Sequence, residues 1–374
     1  MNKKSFLTAL LAISLGTVFL FGGGNISDGI RHGLSLCSYT VIPSLFPLMA
    51  LSVFICSSSA ADFFSVILQP FTKLFHIPKN CGGILLSALI GGYPAAAKCI
   101  NDAVISKRLD KNTAEKMLCY CVNAGPPFLI LTVGYSVFGN AKTGILMFSA
   151  QFISSVLIAV FLSFTMKAKS ESAGMNEHRM STAPCIVYSV TSAAESCFRM
   201  CAFIVLICGI VDFSKDILYP VFSGNAIASS IFTGLFEVTA GCISCSEIGG
   251  ISGIILAEAI ASFSGISVIL QVAAVTDESK ISLFPFLISR PIHAALTAAI
   301  LRIMLLFSKD AVSAFSVKGS NIEAVFSASV PAAVSLLCMA ALFLLSLVPP
   351  KTENEGVLDK IKQKFAELNC GKNR

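Results

Sequence analysis

Apolar runs of roughly twenty residues, separated by short charged stretches, recur from one end of the sequence to the other. They predict membrane spans at 6–21, 34–56, 117–138, 144–166, 184–211, 251–275, 282–307 and 328–348. Two further apolar pieces fit no straight span. Residues 82–105 are interrupted by Gly91-Gly92-Tyr93-Pro94, and residues 227–245 are short and end in small side chains, so both predict re-entrant helical hairpins. The pattern is that of an all-α polytopic membrane protein with about eight transmembrane helices and two such hairpins.

Interruptions of the apolar pattern recur in matching order. In the first half they are Gly91-Gly92-Tyr93-Pro94 and Asn123-Ala124-Gly125-Pro126-Pro127. In the second half they are Thr239-Ala240-Gly241, after Phe236-Glu237-Val238, and Phe263-Ser264-Gly265-Ile266-Ser267. Backbone freed from helical hydrogen bonding is costly in hydrocarbon unless it is buried in protein or lines a wet cavity, so matched breaks predict one central site. The span at 34 enters from outside and the span at 184 from inside, and each is followed by a hairpin, a broken span and a further span. The halves therefore read as inverted repeats, as in secondary transporters. The expected organisation is an N-terminal helix (1–28), a first repeat (29–166), a cytoplasmic linker (167–183), a second repeat (184–310), a C-terminal span (311–350) and an amphipathic tail (351–374).

Composition agrees with the pattern. Hydrophobic residues make up 55% and charged residues 13% of the 374, with a mean hydropathy of +0.80, against roughly 25% charged in soluble domains. The net charge of +6 lies mostly in loops and tails. Lys3, Lys4, Lys107, Arg108, Lys111, Lys116, Lys167, Lys169, Arg179, Lys351 and Lys360 all fall on one side of the predicted topology, which places both termini in the cytoplasm. Charge so distributed orients a chain in lipid and argues against nucleic-acid binding. The 14 cysteines fall mostly inside apolar runs and read as packing residues. Cys242 and Cys245 have CxxC spacing but lack the second pair that a structural zinc site needs. At the N-terminus, Gly22-Gly23-Gly24 offers no small-x-small cleavage site after the apolar run, so a retained first helix is expected.

Ionisable and polar residues inside apolar segments are the candidates for chemistry. Lys98 lies one turn beyond Pro94, which starts a helix whose free amides attract an anion; the other reading is a lysine reaching for headgroups. Asn123 and Gly125 accompany Pro126 and Pro127, which leave carbonyls unpaired to meet a substrate or cation; a plain proline kink is the other reading. Glu237 and Glu258 can hold a coupling proton or sodium ion, or pair with Lys98 or Arg290. Arg290, before Pro291, suits bidentate binding of a carboxylate, whereas His293 reads as packing. Glu195 and Arg199, four apart, form a local pair. The expected substrate site comprises Gly92, Tyr93, Pro94, Lys98, Asn123, Gly125, Glu237, Thr239, Ser264 and Arg290. Walker A, Rossmann, HExxH and GxSxG sequences are absent, so no enzyme, cofactor or metal is expected.

Several of these stretches together resemble a known family. Ile42-Pro43-Ser44-Leu45-Phe46-Pro47, Gly92-Tyr93-Pro94 with Lys98, Asn123-Ala124-Gly125-Pro126, and Leu235-Phe236-Glu237-Val238-Thr239 with Gly241 resemble the sporulation integral membrane proteins of the YlbJ type. These carry the nucleoside-recognition or Gate domain and are similar in plan to concentrative nucleoside transporters. The resemblance runs from about residue 35 to 307. It implies a protein of the outer forespore membrane that moves dipicolinic acid, a small aromatic dianion, from mother cell toward forespore. Where the family pattern has Thr-Asn-Gly, this chain has Thr239-Ala240-Gly241. A transporter of nucleosides or another neutral solute, held by Asn123, Ser264 and Ser267, and a non-transporting spore-envelope assembly protein remain as alternatives. The expected partners are the bilayer and a small-molecule anion; a coupling proton or sodium ion, and oligomerisation, stay open.

Overall fold

A computed structural model of the chain describes residues 3–21, 23–164, 180–222 and 224–307, and apart from Ser181–Pro184 these belong to one compact unit. Most of the expected linker, the span at 328–348 and the tail at 351–374 lie outside the described residues. The chain runs through α1 (Lys3–Phe21), α2 (Gly23–Leu36), a π-turn at Cys37–Val41, α3 (Ile42–Ser57), α4 (Ala60–Ile67), α5 (Gln69–Leu74) and α6 (Gly82–Ile105). There follow α7 (Lys111–Cys121), a π-helix at Pro127–Val137, α8 (Ala141–Ser163) and α9 (Thr182–Phe222). The last are α10 (Ala226–Phe236), α11 (Val238–Ile248), α12 (Gly250–Phe263), α13 (Gly265–Thr276) and α14 (Phe284–Phe307). Six stretches among the described residues are long and apolar enough to cross a membrane. The protein is an all-helical, polytopic membrane protein.

Three expected spans change form. The span at 34–56 is the second part of a longer helical stretch, Gly23–Ser57. The span at 117–138 is two pieces, α7 and the π-helix, parted where Pro126 and Pro127 supply no amide donors. The span at 184–211 continues to Phe222 as a 41-residue helix, about 60 Å long at 1.5 Å per residue and twice the hydrocarbon thickness. Residues 212–222, beyond the expected end of the span, therefore continue the same helix. Apolar periodicity marks where a helix is greasy, not where it stops.

The piece at 227–245 is a helical hairpin, as the pattern predicts. Ser230 Oγ and Ser244 Oγ meet at 2.9 Å, and Gly241 lies against the Gly234 backbone, so the 11-residue helices α10 and α11 run back to back about a tip at Glu237. Each is about 16 Å long, half a bilayer. The break itself is one residue, Glu237 (φ −139°, ψ 121°), not the expected Thr239-Ala240-Gly241, which form the first turn of α11. Gly241 is small because a neighbouring backbone touches it. The piece at 82–105 is interrupted once, at Gly92 (φ 72°, ψ −162°), a conformation that side chains rarely adopt. Its first half is tied to α3 by reciprocal bonds, Ser52 Oγ to Ser87 O at 2.9 Å and Ser87 Oγ to Ser52 O at 2.8 Å.

Substituting Gly241 with Val should drive a side chain into Gly234 and cost about 2–3 kcal/mol, read as a lowered melting temperature of the purified protein. At the corner between α6 and α7, burial opposes the charge of Asp110, but the Thr113 hydroxyl (2.6 Å) and amide (3.0 Å) hold its carboxyl below the ordinary value. With the folded value below the unfolded one, this cap stabilises above about pH 4 and is lost as pH falls through the folded value. A lower protection factor of the Thr113 amide in acid, after correction for the slower intrinsic exchange there, is the expected result, and Asp110→Ala should cost about 1 kcal/mol at neutral pH.

Candidate functional site

All four interruptions meet. Gly92 and Gly125 touch through their backbones: a side chain on Gly125 would come within 3.1 Å of the Ile90 carbonyl oxygen and 3.2 Å of the Gly92 nitrogen. The second half makes the same kind of contact, since a side chain on Gly265 would come within 2.9 Å of the Gly234 carbonyl oxygen. In each half, then, the carbonyl end of one helix segment abuts a glycine that opens the next. Across the halves, the Tyr93 hydroxyl donates to the carbonyl of Ala261, close to the end of α12.

Between these ends lies a cavity of about 30 Å³. Its walls come from Gly91 to Pro94, from Gly125 and Phe128, from Glu237 to Thr239, and from Ser267, Val268 and Gln271; Val41, Leu45, Met49, Met200 and Ile204 of α3, α9 and the first π-turn complete it. Each interruption presents the start of the following helix: the second half of α6, the π-helix, α11 and α13. A helix start carries partial positive charge in its unpaired amides, but Pro94, Pro126 and Pro127 bring none, so the amides that face the cavity come mainly from α11 and α13. The Glu237 carboxyl partly offsets this, because its Oε2 accepts from the Ala240 amide at 2.6 Å and caps α11. None of the lining side chains is basic. The volume suits one or two waters, so a larger solute enters only when the helices part.

Six of the expected site residues line this cavity: Gly92, Tyr93, Pro94, Gly125, Glu237 and Thr239. Four lie elsewhere. Lys98 is half-buried and pairs with Asp102 at 3.5 Å, one turn along its own helix. Asn123 faces away into an apolar cavity of about 130 Å³ walled by Phe71, Phe75, Phe148 and Phe152, and its amide donates to Tyr120 O (2.7 Å) and Ser155 Oγ (2.8 Å). Ser264 takes a left-handed conformation (φ 80°) at the end of α12. Arg290 is fully buried and joins the interruptions from behind.

The Arg290 guanidinium is answered entirely by neutral oxygens. Nη1 donates to Val122 O (2.9 Å), Asn123 Oδ1 (3.2 Å) and Ser264 Oγ (3.4 Å). Nη2 donates to Cys119 O and to Ser289 Oγ (3.2 Å), and the group stacks over the Phe286 ring at 4.5 Å. Among the described residues no carboxylate lies within 4 Å of it, so the expected pairing with Glu237 or Glu258 is absent. Its two carbonyl acceptors stand at the end of α7, which is worth about half a negative charge, and the other acceptors are side-chain oxygens of Asn123, Ser264 and Ser289. Glu258 is also fully buried: the Ser262 hydroxyl lies 3.2 Å from Oε1, and Oε2 has no hydrogen-bond partner among the described residues. Glu195 and Arg199 form the exposed local pair that their spacing predicts.

Sequence reasoning missed Gln271, which sits one turn beyond Ser267 on the same face of α13. Two polar residues four apart in an otherwise apolar helix are the signal that finds it. No disulfide joins the twelve described cysteines and eleven of them are buried, in keeping with packing. Tyr93→Phe should leave the Ala261 carbonyl without its donor and cost about 1–3 kcal/mol, read from thermal unfolding.

No known family profile matches the chain, and no solved structure does. The chain is similar to the sporulation integral membrane protein YlbJ of Bacillus subtilis (strain 168): 24% of residues are identical over 319, covering 74% of this chain and 77% of that protein. The match supports the family resemblance carried by the motifs.

Proposed function

We propose, from this likeness to a YlbJ-type sporulation membrane protein, that the chain is a secondary transporter of a small anionic metabolite during sporulation. The observation that carries the reading is the convergence of four helix breaks on one buried cavity, where the free amides at the starts of α11 and α13 can receive an anion without a basic side chain. The matching contacts of Ile90 O with Gly125 and of Gly234 O with Gly265 support two structural repeats around that cavity. Dipicolinic acid is the proposed substrate, following the resemblance, and its two carboxylates suit opposed helix starts. The proposed site is the outer forespore membrane, with both termini in the mother cell. Downhill flux from the compartment of synthesis is enough to drive it.

A second reading has an observation of its own. Tyr93, Glu237, Thr239, Ser267 and Gln271 offer hydroxyl, carboxyl and amide groups, and no lining residue is basic, which suits a neutral solute such as a nucleoside.

Uptake of labelled dipicolinate and of a nucleoside into proteoliposomes separates the readings. Saturable dipicolinate uptake that falls about tenfold in Gln271→Leu, for one lost hydrogen bond, is the expected outcome. Lys98→Ala should have the smaller effect, because Lys98 is spent on Asp102. Nucleoside uptake alone would establish the second reading. Uptake of neither solute by folded protein would favour an assembly role.

A further inference from the structure

We infer that Arg290 is a resident cation: its guanidinium occupies the oxygen cage that the broken spans create, so the protein works without a sodium ion at that junction. Unwound carbonyls and helix ends are how membrane proteins hold monovalent cations, and here such groups come from two different interruptions. Val122 O and Asn123 Oδ1 belong to the break after α7, Cys119 O to its last turn, and Ser264 Oγ to the break between α12 and α13. All four oxygens are taken by one guanidinium that is fully buried.

Charge reinforces the geometry. The cage contains no carboxylate, and its negative potential comes from the carbonyl end of α7 and from neutral side-chain oxygens, all of them already engaged by Arg290. A second cation there would meet an unscreened positive neighbour in a low-dielectric setting. The guanidinium also reaches further than a spherical ion, since its fork of donors spans both breaks at once. Arg290 is thus a positioning residue: it ties the carbonyl end of α7 to the Ser264 hydroxyl at the break between α12 and α13, so that the helix starts face the cavity.

The test does not need a transported solute. Thermal unfolding of the purified protein in sodium chloride and in N-methylglucamine chloride of equal ionic strength should give the same melting temperature. Arg290→Ala should melt about 5 °C lower or more, and millimolar guanidinium should recover at least half of that loss, while tetramethylammonium should recover none. Arg290→Lys should fall between the two. A wild-type protein stabilised by sodium over N-methylglucamine would overturn the inference, as would an Arg290→Ala variant indifferent to guanidinium. Where Arg290→Ala yields no folded protein, the wild-type comparison decides. In proteoliposomes, uptake should proceed equally in sodium and choline media. This arm alone rests on the transport reading, so absence of any uptake would count against transport and leave the melting experiments to judge Arg290.

Discussion

A helix cut inside a membrane leaves two charged ends, and this structure is organised by where those ends go. Carbonyl ends and amide ends cannot be left in hydrocarbon, where each unpaired group costs several kcal/mol. Here they are sorted by sign. The carbonyl end of α7 turns to Arg290, and that of α12 to the Tyr93 hydroxyl. The amide ends that follow the four interruptions turn to the cavity. The sorting explains why a buried arginine without a carboxylate is tolerated: breaking the arrangement would expose the charge and at least four oxygens together, a loss of about 3–5 kcal/mol.

Packing serves this arrangement through small residues. Backbones must come close for one segment's carbonyl to meet another's glycine, and the contacts of Gly125, Gly241 and Gly265 leave no space for a side chain. Without a hydrophobic drive between helices in lipid, close approach and interhelical bonds supply the cohesion. The reciprocal Ser52 and Ser87 bonds between α3 and α6 are of that kind. The position of the cavity therefore follows from where the chain can be thin.

Most of this was legible in the sequence because the breaks announce themselves chemically. Gly92 before Pro94, the Pro126-Pro127 pair and Ser264-Gly265 each disallow continuous helix, and each is an interruption in the structure. Six of ten expected site residues line the cavity for that reason. What the sequence obscured was direction. Lys98 and Asn123 lie close to the interruptions along the chain and Arg290 stands beside Pro291, yet Lys98 finds a partner on its own helix, while Asn123 and Arg290 turn to the far side. A one-dimensional pattern says that a charge is near a break, and only the fold says which end of the break it serves. The two-residue misplacement at Thr239-Ala240-Gly241 has a related cause, since small residues mark both broken helices and crowded ones.

Because the cavity is framed by helix ends, the guest that the proposed transport reading places there would be held by main chain, which any sequence adopting this fold supplies. Substitution can erase a lysine in one step but cannot erase a helix start without unfolding it. Lineages can therefore retune what enters by altering a few rim positions, among them Thr239, Ser267, Gln271 and Met200, while the site itself persists. Divergence to low sequence identity is compatible with such a site, and a change of cargo would leave a small mark in the sequence.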